Sequence, residues 1–155
     1  MWLWSVIIGV ILFVVLLIFE FIYLSNHFKA KRAKQDMAKH RFDHAWLGRS
    51  GTGYIGVAGQ ELVVYKTPQR QTKFALGKLF VFTQKTRVDF NTTYGPLTAQ
   101  QQLWGVILTK ADFADFTHWL TDHGILVTPL TKLMADVQAV IREKGTSTRD
   151  QGSAK

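Results

Sequence analysis

Two groupings of residues have the type and spacing that chemistry uses, and a third set carries the acids and imidazoles that catalysis would need. Gly51, Gly53 and Gly56 in GTGYIG satisfy GxGxxG, the pattern that lets backbone N–H groups approach a pyrophosphate. The dinucleotide version needs a strand before it and a helix after it, whereas here a strand and hairpin follow. The kinase version also needs a catalytic loop, a metal-binding aspartate and a far longer chain. The glycines therefore read as a flexible entry to a first strand. His40 and His44 stand at the spacing that places two imidazoles on one helix face, but two ligands do not close a metal site and no glutamate lies between them as in HExxH. Asp112, Asp115 and Asp122 fall with His118 and His123 on one predicted helix, where caps and solvated faces account for such residues. They suggest neither a nucleophile with its base nor a convergent pair of carboxylates. The chain has no cysteine, which removes thiol nucleophiles, disulfides and thiolate metal sites together. The expectation is a protein that is not an enzyme and uses no cofactor or metal.

The cations carry a clearer message. Nineteen Lys and Arg against eleven Asp and Glu give a formal charge of +8, an attraction to phosphate-rich partners whose nature depends on where the charge lies. Lys29, Lys31, Arg32, Lys34, Lys39 and Arg41 crowd into one short segment, NHFKAKRAKQDMAKHRFDH. That segment directly follows WLWSVIIGVILFVVLLIFEFIYL, about 23 residues from Trp2 to Leu24, the length of one bilayer crossing. The run lacks the basic start, short apolar core and small-residue cleavage site of a signal peptide. Lys and Arg beside a span are retained on the cytoplasmic side, so the expected location is the plasma membrane, with the N-terminus outside and the remainder cytoplasmic. Trp2, Trp4 and Tyr23 suit the two interfacial belts. The six cations serve either as the topology signal alone or also as headgroup contacts with anionic phospholipid, each contributing about 1 kcal/mol near the surface. A membrane role for the charge argues against nucleic acid as a partner.

Within the span, Glu20 lies one turn from the basic end, where its carboxylate either snorkels to the headgroups or meets a polar group of another membrane protein. Ser5 and Gly9 make one small-xxx-small spacing that would admit a close helix neighbour. A second basic patch, Lys66, Arg70 and Lys73, surrounds the turn after the first hairpin, with Lys78, Lys85 and Arg87 on the following strands. It is either another lipid contact or a charged sheet edge that discourages pairing with other chains.

These residues need elements to hold them. The span occupies 1–25, and a helical neck without Gly or Pro occupies 26–44. From 45 to 127 the pattern alternates. YIGVA and ELVVYK flank Gly59 and Gln60 as a tight hairpin; TKFALGKLFVFT holds one or two strands with a bend at Gly77; Thr86–Phe90 is a short strand; NTTYGPLTAQQQ is a loop; LWGVIL is a buried strand. Thr109 caps a helix whose Phe113, Phe116, Trp119 and Leu120 form one apolar face and which Gly124 stops. A second amphipathic helix follows Thr128 and Pro129, with Leu130, Leu133, Met134, Val137, Val140 and Ile141 on one face over 128–145, and 146–155 reads as a disordered tail. The class is α+β, a small antiparallel sheet or partial barrel closed by an amphipathic helix.

The early hairpin GYIGVAGQELVVYK, the middle strands KFALGKLFVF and the last strand running into a helix in LWGVILTKADFADFTHWLTDHG resemble, in order, the bacterial pleckstrin-homology-like and GRAM-like domains. The resemblance covers about Trp46 to Gly124 and is one of pattern, with six strands where that fold has seven. It implies binding of a lipid, peptide or protein partner. The expected function is a membrane-anchored cytoplasmic interaction module that binds a protein or anionic lipid at the inner face. The alternative is an accessory or regulatory subunit of a larger membrane complex, in transport, secretion, cell envelope or phage exclusion, recognised through its transmembrane helix. The topology is checked with a protease added to intact cells: a C-terminal epitope tag should survive, and its loss without lysis would place the domain outside.

Overall fold

The computed structural model describes residues 2–98, 101 and 104–150, and side chains within that set apart from 2, 3, 5 and 143–150. The span and neck form one unbroken helix, α1 (Trp2–Lys39), about 57 Å long at the standard rise. It is long and apolar enough to cross a membrane, and the rest of the chain does not bury its apolar stretch. The helix stops at Lys39, short of the expected His44. His40 closes the last turn by its N–H and Nδ1 to the Asp36 carbonyl, and Phe42 turns in to lie against β2.

Eight strands follow among the described residues, where six were counted from sequence. β1 (His44–Leu47), β2 (Tyr54–Ala58), β3 (Glu61–Thr67) and β4 (Arg70–Ala75) make an antiparallel meander. The Gly59–Gln60 hairpin is as expected: Ala58 pairs with Glu61 and Gly59 takes φ +57°, a conformation that glycine adopts without steric cost. Where a bulge or bend was expected at Gly77, a 3-10 turn, Leu76–Lys78, carries the chain to a second sheet. There β5 (Phe80–Gln84), β6 (Arg87–Asn91) and β7 (Val106–Ile107) run antiparallel, and β8 (Val127–Pro129) pairs in parallel with β5. The sheets do not close into a barrel; their orders are β1-β2-β3-β4 and β7-β6-β5-β8.

LWGVIL is a strand only at Val106 and Ile107, with Ile107 exposed at the edge; Leu103 lies outside the described residues. The capped helix, α2 (Lys110–Asp122), matches the sequence reading: Thr109 Oγ1 accepts the Asp112 N–H at 3.1 Å, and Gly124 has φ +69°. The final helix, α3 (Leu130–Asp150), passes through Gly145, where its end was expected, and takes in part of the segment read as a disordered tail. Thr128 and Pro129, read as the entry to that helix, fall instead in β8, with Pro129 as the last residue of a short edge strand. Of the apolar face of α3, Leu133 is fully buried, while Met134, Val140 and Ile141 remain exposed.

Alternation places the side chains. Ile55, Val57, Leu62 and Val64 face the main core with Val81, Val88, Phe90, Val106 and the α2 residues Phe116, Trp119 and Leu120. Tyr54 and Tyr65, on the opposite face of the first sheet, meet Ala33 of α1 in a second cluster, with Met37, Phe42 and Leu47 beside it. The run LVVY is buried throughout because both faces of its strand are covered.

The neck is thus docked. Tyr54 and Tyr65 stack with centroids 4.9 Å apart, and Tyr54 Oη donates to Asp36 Oδ2 at 2.7 Å. Burial, reinforced by Asp36, raises the Tyr54 phenol far above its usual range, so it remains a donor. Tyr54→Phe should cost about 1–3 kcal/mol, since it strands a partly buried carboxylate; chemical denaturation of the full chain in micelles, followed by tryptophan fluorescence, measures the loss.

Candidate functional site

Docking of α1 places one face of the neck, from Asn26 through Lys29 and Ala30 to Ala33 and Asp36, against the domain. Asn26 and Lys29 line a groove of about 330 Å³ with Ser50 and Thr52 of the β1–β2 loop, Lys66, Thr67 and Arg70 at the β3–β4 turn, and Gly105 before β7. A second groove of about 140 Å³ shares Lys29, Lys66 and Thr67 and adds Arg32, Tyr65, Pro68 and Gln69. Residues distant in sequence therefore form one continuous cationic surface, and none of the described residues lining either groove is acidic.

The nearby acid is already committed. Asp89, buried in β6, accepts from Arg87 Nε at 2.9 Å and from Arg87 Nη2 at 2.8 Å. Gly105 lies against this pair so closely that a Cβ there would collide with both side chains. Lys66, half-buried beside the pair, has its pKa lowered, first by burial and then by Arg87, with Arg70 adding to the effect and Asp89 opposing it. A cation held in like-charged company favours an anion from outside the chain. The hydroxyls of Ser50 and Thr52, 2.7 Å apart, and the amide of Asn26 supply hydrogen-bonding groups around it.

Loop glycines make this geometry. Gly51 has φ +69° and faces Ala30 of the neck, and a Cβ on Gly53 would sit 2.7 Å from the Tyr65 carbonyl oxygen. A Cβ on Gly56 would sit 2.7 Å from the Phe42 ring. The GxGxxG pattern is explained by close backbone and ring packing, and the loop it was taken to make flexible is a fitted wall of the groove.

Of the sequence-predicted cations, Lys29, Arg32, Lys66 and Arg70 come together. Lys31, Lys34, Lys39 and Arg41 are exposed outside the two grooves' lining sets. Lys73 lies farther along the hairpin and pairs with Glu61 at 3.0 Å, as a charged edge strand would. Gly9 and Glu20 are exposed on α1, and the Ser5 side chain lies outside those described. His40 approaches Asp36 and His44 stacks on Trp46; among the described residues no three His, Cys, Asp or Glu gather as a metal site. Asp112 accepts the hydroxyl of the capping Thr109 at 2.6 Å, Asp115 accepts the Trp46 indole N–H at 2.7 Å, and Asp122 pairs with His118 at 2.9 Å. Sequence reading missed Asn26, Ser50, Thr52 and Thr67; short polar residues in a neck and two loops carry no periodic signal.

No family model, no curated protein and no solved structure matches this chain.

Because the pKa of Lys66 lies below its unfolded value, folding gains stability as pH rises from the folded pKa toward the unfolded one. In the folded chain the Lys66 ammonium, followed by NMR, should titrate below the usual lysine range. Arg70→Gln and added inorganic phosphate should each move it upward. A titration untouched by either would show that the groove does not hold a coupled charge cluster.

Proposed function

We propose that this chain is a single-pass, membrane-anchored interaction module whose domain lies at the cytoplasmic face and holds an anionic phospholipid headgroup in the groove between neck and domain. The observation that carries the reading is the convergence of Lys29, Lys66 and Arg70 on a groove with no acidic residue among its described lining. Its position along α1 supports it. Lys29 lies about 8 Å beyond Leu24 on the unbroken helix, a depth comparable with the headgroup layer, which adds about 5–8 Å to each side of the hydrocarbon. Anionic lipid is attractive to such a surface, and tethering raises its effective concentration. The cytoplasmic side follows from the six juxtamembrane cations.

A four-stranded and a three-stranded antiparallel meander followed directly by α2 support the resemblance to pleckstrin-homology-like domains, with β8 and α3 as additions. The reading assigns the chain a binding role and no catalysis. The second reading, an accessory subunit recognised through α1, rests on Glu20 and on the bare apolar surface of the helix. Exchange of the span for an unrelated one would abolish function on that reading and preserve it on the first.

The lipid reading is tested on the full chain extracted with its bound lipid. Anionic phospholipid should co-purify above its share in the membrane. Lys29→Glu, Lys66→Glu and Arg70→Glu together should lower that enrichment by at least about tenfold, at about 1 kcal/mol or more per lost contact. Lys31→Glu, Lys34→Glu and Lys39→Glu, an equal change in charge, should lower it far less. Equal losses would remove the groove as the site, and no enrichment in the unmodified chain would remove the lipid role.

A further inference from the structure

A cleft of about 790 Å³ opens at the other end of the domain. Its opposite placement follows from α1: the groove is built on Asn26 and Lys29, whereas the cleft is built on Asp43, beyond the end of the neck, and on the Gly59–Gln60 hairpin. The volume falls in the range of small-molecule sites, about 300–1,000 Å³. Its floor is core: Leu79, Ile125 and Trp119 line it and are only 5%, 9% and 9% exposed.

In the described lining around that floor Lys78 is the one fixed cation, while Gln60, Thr92 and the two imidazoles can donate or accept. His44 comes from β1, Lys78 from the 3-10 turn and His123 from the end of α2. The one carboxylate in the lining, Asp43, is engaged by the Gly59 N–H at 2.8 Å. The carbonyls at the end of α2 are also engaged: Trp119 O accepts His123 N and Nδ1, Leu120 O accepts Ile125 N, and Thr121 O accepts Gly124 N. The helix therefore presents imidazole to the cleft in place of bare carbonyl oxygen. Trp119, stacked on His123 at 4.1 Å, has a buried indole N–H with no acceptor among the described residues, a cost in free energy that the fold carries. An extended peptide cannot add to the sheet alongside: β8 holds that edge of β5, with Val81 N–H on the Leu126 carbonyl at 3.2 Å.

We propose that this cleft is a binding site for a small amphiphilic carboxylate, an acyl or aryl acid whose apolar body lies on Leu79, Ile125 and Trp119 and whose carboxylate meets Lys78. The site is independent of the headgroup groove and stands whether or not lipid binds there.

The test uses the full chain in phosphatidylcholine nanodiscs with 4-phenylbutyrate as the probe. The readout is the ¹⁵N–¹H indole resonance of Trp119, assigned by its disappearance in Trp119→Phe. The expected result is a saturable shift of that resonance, with Trp2 and Trp4 reporting partition of the probe into the bilayer. The methyl ester of the probe should bind at least about fivefold more weakly, as should the acid to Lys78→Glu, which changes an exposed rim residue, while Lys78→Arg should retain binding. No saturable shift at Trp119 would overturn the site. Equal binding of acid and ester, or unchanged binding to Lys78→Glu, would overturn the carboxylate.

Discussion

The contact on which the arrangement depends is the docking of the neck against the outer face of the first sheet. Ala33 is fully buried there between α1 and the stacked rings of Tyr54 and Tyr65, and the Tyr54 hydroxyl is held by Asp36. A small residue at this point lets helix and sheet approach closely, and the hydrogen bond sets their rotation. An apolar helix joined to a domain by an undocked neck would leave the domain free to turn. Here the packing ties the direction of the apolar span to the orientation of the sheets, so each end of the domain has a defined relation to that span.

The two ends differ in chemistry because they draw on different parts of the fold. At the end near the span, the β1–β2 loop, the β3–β4 turn and the neck bring lysine and arginine together while Asp89 is occupied by Arg87. At the far end, the cleft exposes the margin of the main core between the 3-10 turn and the end of α2. One site is open and cationic, suited to an anionic group. The other combines an apolar floor with a lysine at its rim, suited to a ligand with two unlike halves.

Glycine is the residue through which the first of these is built. Gly53 and Gly105 let the β3 backbone and the Arg87–Asp89 pair approach to distances that a side chain would block, and Gly51 supplies the left-handed turn of the loop. Positions that look in sequence like a nucleotide fingerprint are thereby explained by packing. The cations gain their meaning in the same way. Lys73 and Lys66 are neighbours in sequence, yet one is paired with Glu61 on a solvated strand while the other is half-buried among like charges.

Local physics made several features legible. A long unbroken apolar run gives a helix long enough to cross a membrane, the Gly59–Gln60 turn gives a hairpin, and Thr109, Asp112 and Gly124 give a helix with both its ends. Those readings held because each depends on backbone conformation or hydropathy within one stretch of chain. The readings that moved depend on partners far away in sequence. β1 and β8 are four and three residues long and are strands because β2 and β5 pair with them. The neck's docking face, made of Ala30, Ala33 and Asp36, shows no apolar stripe, and only the sheet opposite reveals that it is buried. What the chain by itself determined was a hydrocarbon-length helix with a cationic border and an α+β domain behind it; which of those cations share a groove was decided by tertiary packing, because charge clustering and burial are properties of neighbours in space.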